Sequence, residues 1–204
     1  VEGREIMPLA IEHRSVHVEV EDCDDLRSSA LTVLIWVKLK TMSDVVGFQR
    51  EPGWPCILCK TRTWANGFGF YGMPDGTIRF YINEWDQLYA ETKLTKLDAW
   101  TCLAATYEVD SKTCDGKLSL YKDGVLKDSR SNLPPMRRND APLCIGATMW
   151  GENGWYAVHG GVGPILLWNR ALSAGEVAKA SRGNAPTRSL VLRLDLNEEQ
   201  GGGG

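Results

Sequence analysis

With 204 residues, 43% of them hydrophobic and 24% charged, the chain has ordinary globular usage, which argues against a disordered chain. Its net charge of −3, carried by interspersed signs, excludes a basic footprint for nucleic acid. No apolar run approaches membrane-spanning length and no secretory leader is legible; starting at Val1, the chain reads as processed or excised. The 21 glycines and 8 tryptophans together suit a turn-rich sheet protein.

Residues 7–11 and 15–21 read as the first strands. In the second, Val16, Val18 and Val20 face one way and His17, Glu19 and Glu21 the other, the alternation of a strand buried on one side. Asp22, Cys23, Asp24 and Asp25 break it. Residues 31–40 (LTVLIWVKLK) are apolar on both faces through their centre, which places them inside, covered from two sides. A polar loop punctuated by Gly and Pro spans 42–54, and a short strand follows at 55–60 (PCILCK). Residues 68–71 and 77–82 form a hairpin around Met73-Pro74-Asp75-Gly76, with Ile78, Phe80 and Ile82 on one side. Residues 84–87 turn, and 88–93 give a further strand.

The stretch 100–125 (WTCLAATYEVDSKTCDGKLSLYKDGV) is the centre of the pattern. A strand at 100–107 and an alternating one at 117–121 flank a turn-forming run at 110–116. Lys122-Asp123-Gly124 then signals a tight hairpin into a third strand, because Asp-Gly accepts the left-handed backbone such turns need. Residues 126–132 form an edge strand ended by Pro134-Pro135, 143–146 a short strand, and 149–156 (MWGENGWY) an aromatic loop. A strand at 163–168 precedes the one helix, near 173–181, where Ser173 and Glu176 make a capping box. Leu190, Leu192, Leu194 and Leu196 alternate in a closing strand. About a dozen strands at regular spacing predict an all-β fold, a two-sheet antiparallel β-sandwich. The expected organisation is one domain over 1–200, with 201–204 as a Gly-rich tail or linker.

Cys56 and Cys59, three apart on a strand, are expected on opposite faces, where they share neither a metal nor a bond. Cys102 and Cys114 sit in one hairpin at roughly 20 Å, beyond disulfide reach. Most of the six cysteines, Cys23 and Cys144 being the others, read as small apolar fillers.

The central stretch resembles the W-h-x-h-x-x-x-Y…G-x-L-x-L-Y-x-D-G run of laminin-G-like domains, which belong to the concanavalin A-like lectin/glucanase superfamily and share a pentraxin-like jelly roll. SVHVEVED and LTVLIWVKLK are similar to the family's early strands. PCILCK with FGFYGMPDGTIRFYI resembles its next hairpin, and PLCIGA with ILLWNRALSAGEVAKAS its strand-helix ending. LVLRLDLNEEQGG resembles the opening strand of such domains, which implies a place beside the terminal strand of the same sheet. The resemblance implies extracellular or cell-surface binding of carbohydrate or protein, as in lectins and adhesion modules.

The family often carries calcium near a sheet edge, but this chain has Gly163 at the late acidic position and Glu12-His13 at the early Asp-Gly turn. Calcium needs six or more oxygens; Asp22, Asp24 and Asp25 supply some, or form only a solvated acidic turn. A hydrolase needs two carboxylates about 5–5.5 Å apart in a retaining enzyme. Glu19 and Glu21 share a strand face at about 6.6 Å, yet HVEVEDCDD lacks the E-x-D-x-x-E or E-x-D-x-E spacing of related hydrolases. No Ser-His-Asp set emerges from the scattered His13, His17 and His159, and no phosphate-binding Gly loop precedes a helix.

Trp36, Trp100 and Trp168 lie in strand patterns and read as core. Trp54, Trp64, Trp85, Trp150 and Trp155 fall in polar loops, where an indole suits the C–H face of a sugar, a protein partner, or a cap on the sandwich end. The expected ligand-binding residues are Trp150, Asn153, Trp155 and Tyr156, with Trp64 and Trp85 next. The leading expectation is a non-enzymatic module that binds glycan or protein through aromatic loops at one edge. A structural or adhesive module of a larger surface assembly is the alternative, and a glucanase-type enzyme the third.

Overall fold

The computed structural model describes residues 9–11, 17–42, 54–63, 65–148 and 156–196. Its first strands are β1 (Leu9–Ile11), β2 (Val18–Val20), β3 (Leu31–Leu39), β4 (Cys56–Lys60), β5 (Phe68–Gly72), β6 (Thr77–Ile82) and β7 (Tyr89–Lys93). Then come β8 (Thr101–Val109), β9 (Gly116–Lys122), β10 (Val125–Leu133), β11 (Leu143–Ile145), β12 (Gly160–Trp168), the helix α1 (Ala174–Ala180) and β13 (Leu190–Leu194). The strands build two antiparallel sheets. One runs β1-β12-β3-β8-β9-β10, with β13 also paired to β12, and the other runs β2-β11-β4-β5-β6-β7. The predicted sandwich is the observed one.

Side-chain alternation sets the interior. On β3, Val33, Ile35 and Val37 enter the core between the sheets, while Leu34, Trp36 and Lys38 point the other way. Leu103, Ala105 and Tyr107 on β8 and Leu118 and Leu120 on β9 extend that layer, against Phe68, Phe70, Ile78 and Phe80 of the facing sheet. Each fully buried Leu or Ile contributes about 1.5–3 kcal/mol. The expected three-strand run is β8-β9-β10, and β10 is an edge strand as predicted. Between β9 and β10, Asp123 (φ 52°) and Gly124 (φ 76°) are both left-handed, the geometry of a type I′ turn. A Cβ on Gly124 would also lie 2.4 Å from Ser181 Oγ, so the turn docks closely against the end of α1.

Two irregularities in the ladders were not legible in the sequence. The β4–β5 register slips between Cys56 and Leu58. Ile57 and Leu58 consequently both enter the core, and Cys56 and Cys59 both lie on the outer face. The expectation that the two cysteines face opposite ways is thereby corrected: a bulge inserts one residue and restores them to one side. On β12, β1 pairs with Gly160–Val162 and β13 with Ile165–Trp168, and the ladder to β3 slips between Val162 and Ile165. The closing strand thus lies beside the terminal strand, as the family resemblance implied.

Outside the seven-stranded sheet, α1 lays Val177 and Ala180 over Leu34, Cys102, Tyr121 and Trp168. The expected capping box is present at Ser173 and Glu176. Trp168 is fully buried, as expected, and its indole N–H donates to the Pro186 carbonyl at 2.8 Å.

Candidate functional site

The outer face of the six-stranded sheet carries an aromatic layer fixed by strand register. Across it, Cys144, Cys59, Gly69, Tyr81 and Tyr89 form one row on successive strands, and Cys56, Tyr71, Arg79 and Glu91 the next. The Tyr81 ring fills the space a side chain at Gly69 would need, 2.9 Å from its Cβ position. Tyr71 and Tyr81 lie 5.7 Å apart between ring centroids, both buried, and burial pushes both phenols well above their ordinary pKa. Cys56, Cys59 and Cys144 fill the gaps beside them, none of them in a disulfide. The result is a dense apolar platform.

Half-buried aromatics border this platform: Trp54, Trp85, Tyr89 and Tyr156. The Trp54 and Trp85 rings are 4.4 Å apart between centroids and tilted by 38°. Trp85 stands on a turn anchored by Asn83, a buried residue with left-handed backbone (φ 56°). The Asn83 side chain donates to the Pro135 carbonyl at 3.1 Å and accepts from the Arg137 N–H at 2.6 Å. Arg79 places its guanidinium 3.9 Å from the Tyr89 ring centroid and pairs with Glu91 at 3.1 Å. Arg130 reaches the same ring at 5.9 Å. Flat apolar faces beside a guanidinium and a carboxylate are what a sugar ring requires: stacking for its C–H face, and charged hydrogen-bonding groups for its hydroxyls.

Of the predicted ligand residues, Trp85 and Tyr156 come together at this platform. The Tyr156 carbonyl accepts from the Cys56 N–H at 2.6 Å, and Ala157 bridges to Cys56. Trp64, Trp150, Asn153 and Trp155 lie outside the described residues. Tyr89 and Arg79 join the site without having been candidates, and Trp54 joins it from the group of loop indoles although it was not among the expected ligand residues. For Tyr89 and Arg79 the signal was available in the β6–β7 alternation, which sets them on one face.

Trp36 and Trp100 correct the reading that placed them in the core. Trp36 is half-buried and Trp100 is 40% exposed, both on the outer side of the seven-stranded sheet beside α1. An apolar run covered on both faces does not reveal how completely the outer cover closes, and α1 leaves this end open.

In the acidic turn, two of the three carboxylates are paired with cations. Asp22 accepts from Lys60 Nζ at 2.5 Å and from the Arg27 guanidinium, so its oxygens face two cations. Asp24 pairs with Arg27 at 3.2 Å. Lys60 is 2% exposed and also donates to the Asn139 and Ala141 carbonyls at 3.1 and 2.7 Å. Among the described residues no group of three His, Cys, Asp or Glu side chains converges to hold a metal ion. Glu19 is exposed and lies 3.6 Å from His17 Nε2, while Glu21 is exposed past the end of β2.

No curated protein matches the chain. Solved structures share its fold at low identity. The CBM40 of Ruminococcus gnavus IT-sialidase bound to α2,3 sialyllactose is 11% identical, with a TM-score of 0.62 over 86% of this chain and 96% of that one. Domain 4 of AbnA, a GH43 extracellular arabinanase from Geobacillus stearothermophilus, in complex with arabinotriose, is 18% identical; its TM-score is 0.57 over 80% and 72%. The binding domain of botulinum neurotoxin DC in complex with SialylT is 10% identical, with a TM-score of 0.58 over 84% and 40%. These neighbours are mostly binding domains. A laminin-G model described as Concanavalin A-like lectin/glucanases superfamily matches residues 13–178. The two sheets, the order of their motifs and the capped helix agree with it, and the chain belongs to that laminin-G-like family of the concanavalin A-like lectins and glucanases.

Proposed function

We propose that the protein is a non-enzymatic glycan-binding module whose ligand lies on the outer face of the six-stranded sheet. Trp85 and Trp54 offer the stacking surface, Arg79 and Glu91 the charged hydrogen-bonding groups, and Tyr156 adds a third aromatic edge. The carrying observation is the half-buried indole pair at 4.4 Å on a buried tyrosine layer, a rigid apolar surface that costs little to order on binding. The oligosaccharides bound by neighbours of this fold support the reading. So does their setting, an extracellular enzyme domain among them, for a place outside the cell or at its surface; recovery of the chain from washed-cell and supernatant fractions checks that location.

The test is a titration of neutral, arabinose-based and sialylated oligosaccharides, followed by tryptophan fluorescence and calorimetry. At least one sugar class shifts the emission, and Trp85→Ala weakens its binding about tenfold, the equivalent of roughly 1.4 kcal/mol. A folded protein that answers no sugar overturns the proposal. One observation favours an adhesive module instead: β10 is an edge strand with Val125 and Leu126 56% and 50% exposed. Concentration-dependent oligomers without sugar affinity would select that reading.

A further inference from the structure

The opposite side of the sandwich holds a cleft with different chemistry. It lies on the outer face of the seven-stranded sheet, next to the C-terminal end of α1, and encloses about 530 Å³. Ligand pockets span about 300–1,000 Å³. Buried Leu34 and Leu166 and the Trp36 and Trp100 side chains line it, and the exposed Arg182, Arg193 and Asp195 stand at its mouth.

The cleft follows from local structure. The slip between Val162 and Ile165 frees Gly163 and Pro164 from the regular alternation, and both line the cleft. A Cβ on Gly163 would lie 3.1 Å from Trp36 Cβ and 3.4 Å from Trp100 Cζ3. A side chain there would crowd both tryptophans, so glycine lets the strand pass close beside them. The chain leaves α1 through Gly183 (φ 88°), whose N–H donates to the Ala180 carbonyl at 3.0 Å, and this turn forms the far wall.

The lining discriminates between ligand classes. A pyranose would bury hydroxyls against leucine, proline and alanine, which offer them no hydrogen-bond partner. The Ser181 hydroxyl already donates to the Ala178 carbonyl at 3.1 Å. A flat aromatic body loses nothing there and gains stacking on the indoles. Charge at the mouth is unbalanced: Arg193 pairs with Asp195 at 3.0 Å, while Arg182 has no ion pair among the described residues. One guanidinium is thus left for an anion.

We propose that this cleft is a second ligand site, on the opposite side from the glycan platform, for a small aromatic acid, with its ring against the Trp36 and Trp100 side chains that line it and its carboxylate or sulfonate at Arg182. The inference stands whether or not the glycan reading holds, since it uses none of the same residues.

Two probes test it on the full chain: 8-anilinonaphthalene-1-sulfonate by its own fluorescence, and indole-3-acetate against its neutral amide by competition. The expected result is one saturable site per chain from which indole-3-acetate displaces the fluorophore, with the amide about tenfold weaker. Arg182→Gln, at an exposed position, lowers affinity for the acid about tenfold and leaves the amide unchanged. Gly163→Val pushes against Trp36 and Trp100, reshapes the cleft and abolishes displacement by both, with thermal melts confirming that the variants are folded. Equal affinity for acid and amide, binding indifferent to Arg182→Gln, non-saturable uptake of the fluorophore, or no binding at all overturns the proposal.

Discussion

Lys60 shows how much one residue can demand of its surroundings. Its ammonium is 2% exposed and satisfied by the Asp22 carboxylate and two backbone carbonyls. Removing the carboxylate leaves a buried charge without a counter-ion, so Asp22→Asn should cost about 3–5 kcal/mol in urea denaturation. The exposed Arg62–Asp140 pair is the contrast, and Asp140→Asn should leave stability unchanged. The Arg27 guanidinium, and then Lys60, hold the Asp22 carboxyl below the ordinary carboxylate range, against the opposing effect of burial. A depressed folded-state pKa means that the unfolded chain takes the proton first as pH falls. The Asp22 contribution is therefore complete above the ordinary value near 3.8 and lost below it, and the gap between wild type and Asp22→Asn should narrow on acidification through that range. At the same scale, Cys23 and Cys114 are exposed while Cys56, Cys59, Cys102 and Cys144 are buried. Burial, followed by the charge of Asp123, pushes the Cys102 thiol up to about 12. A thiol-disulfide reagent should titrate two thiols in the native protein and all six once it is unfolded.

Among elements, α1 was the most legible, because a capping box needs only four consecutive residues to be recognised. Ser173 Oγ accepts from the Glu176 N–H at 3.3 Å, and the Glu176 carboxylate accepts from the Ser173 N–H at 2.9 Å and from Arg170 at 2.6 Å. Arg170, and then the Ser173 backbone, lower the Glu176 pKa to about 2. Its stabilising effect is full above the ordinary value of 4.5 and declines as pH falls toward 2. Glu176→Gln should flatten the stability profile across that window, measured by thermal melts at stepped pH. The strands were legible for a similar reason, since alternation along β6, β9 and β13 is local information. The bulges at Cys56–Leu58 and Val162–Ile165 were not. A bulge adds one residue without a residue type of its own, and the partner strand decides where it falls.

In the whole molecule, two layers share one interior, and each outer surface is finished differently. Leu118 and Leu120 are fully buried between the sheets, and Leu120→Ala should cost about 2–5 kcal/mol, read as a shift of the urea midpoint. The six-stranded sheet ends outward in a tyrosine-and-cysteine platform edged by tryptophan, and the seven-stranded sheet in a helix that covers only part of it. Alternation, Asp123-Gly124 and the Ser173-Glu176 box determined the sandwich, its central strands and its helix from sequence alone, because each is a contact within a few residues. Tertiary structure alone decided that Trp54 meets Trp85, that Lys60 is buried on Asp22, and that Trp36 and Trp100 line an open cleft. Those outcomes depend on ladder slips and on the reach of a covering helix, which bring together residues far apart in the chain. No local pattern records how far such cover extends.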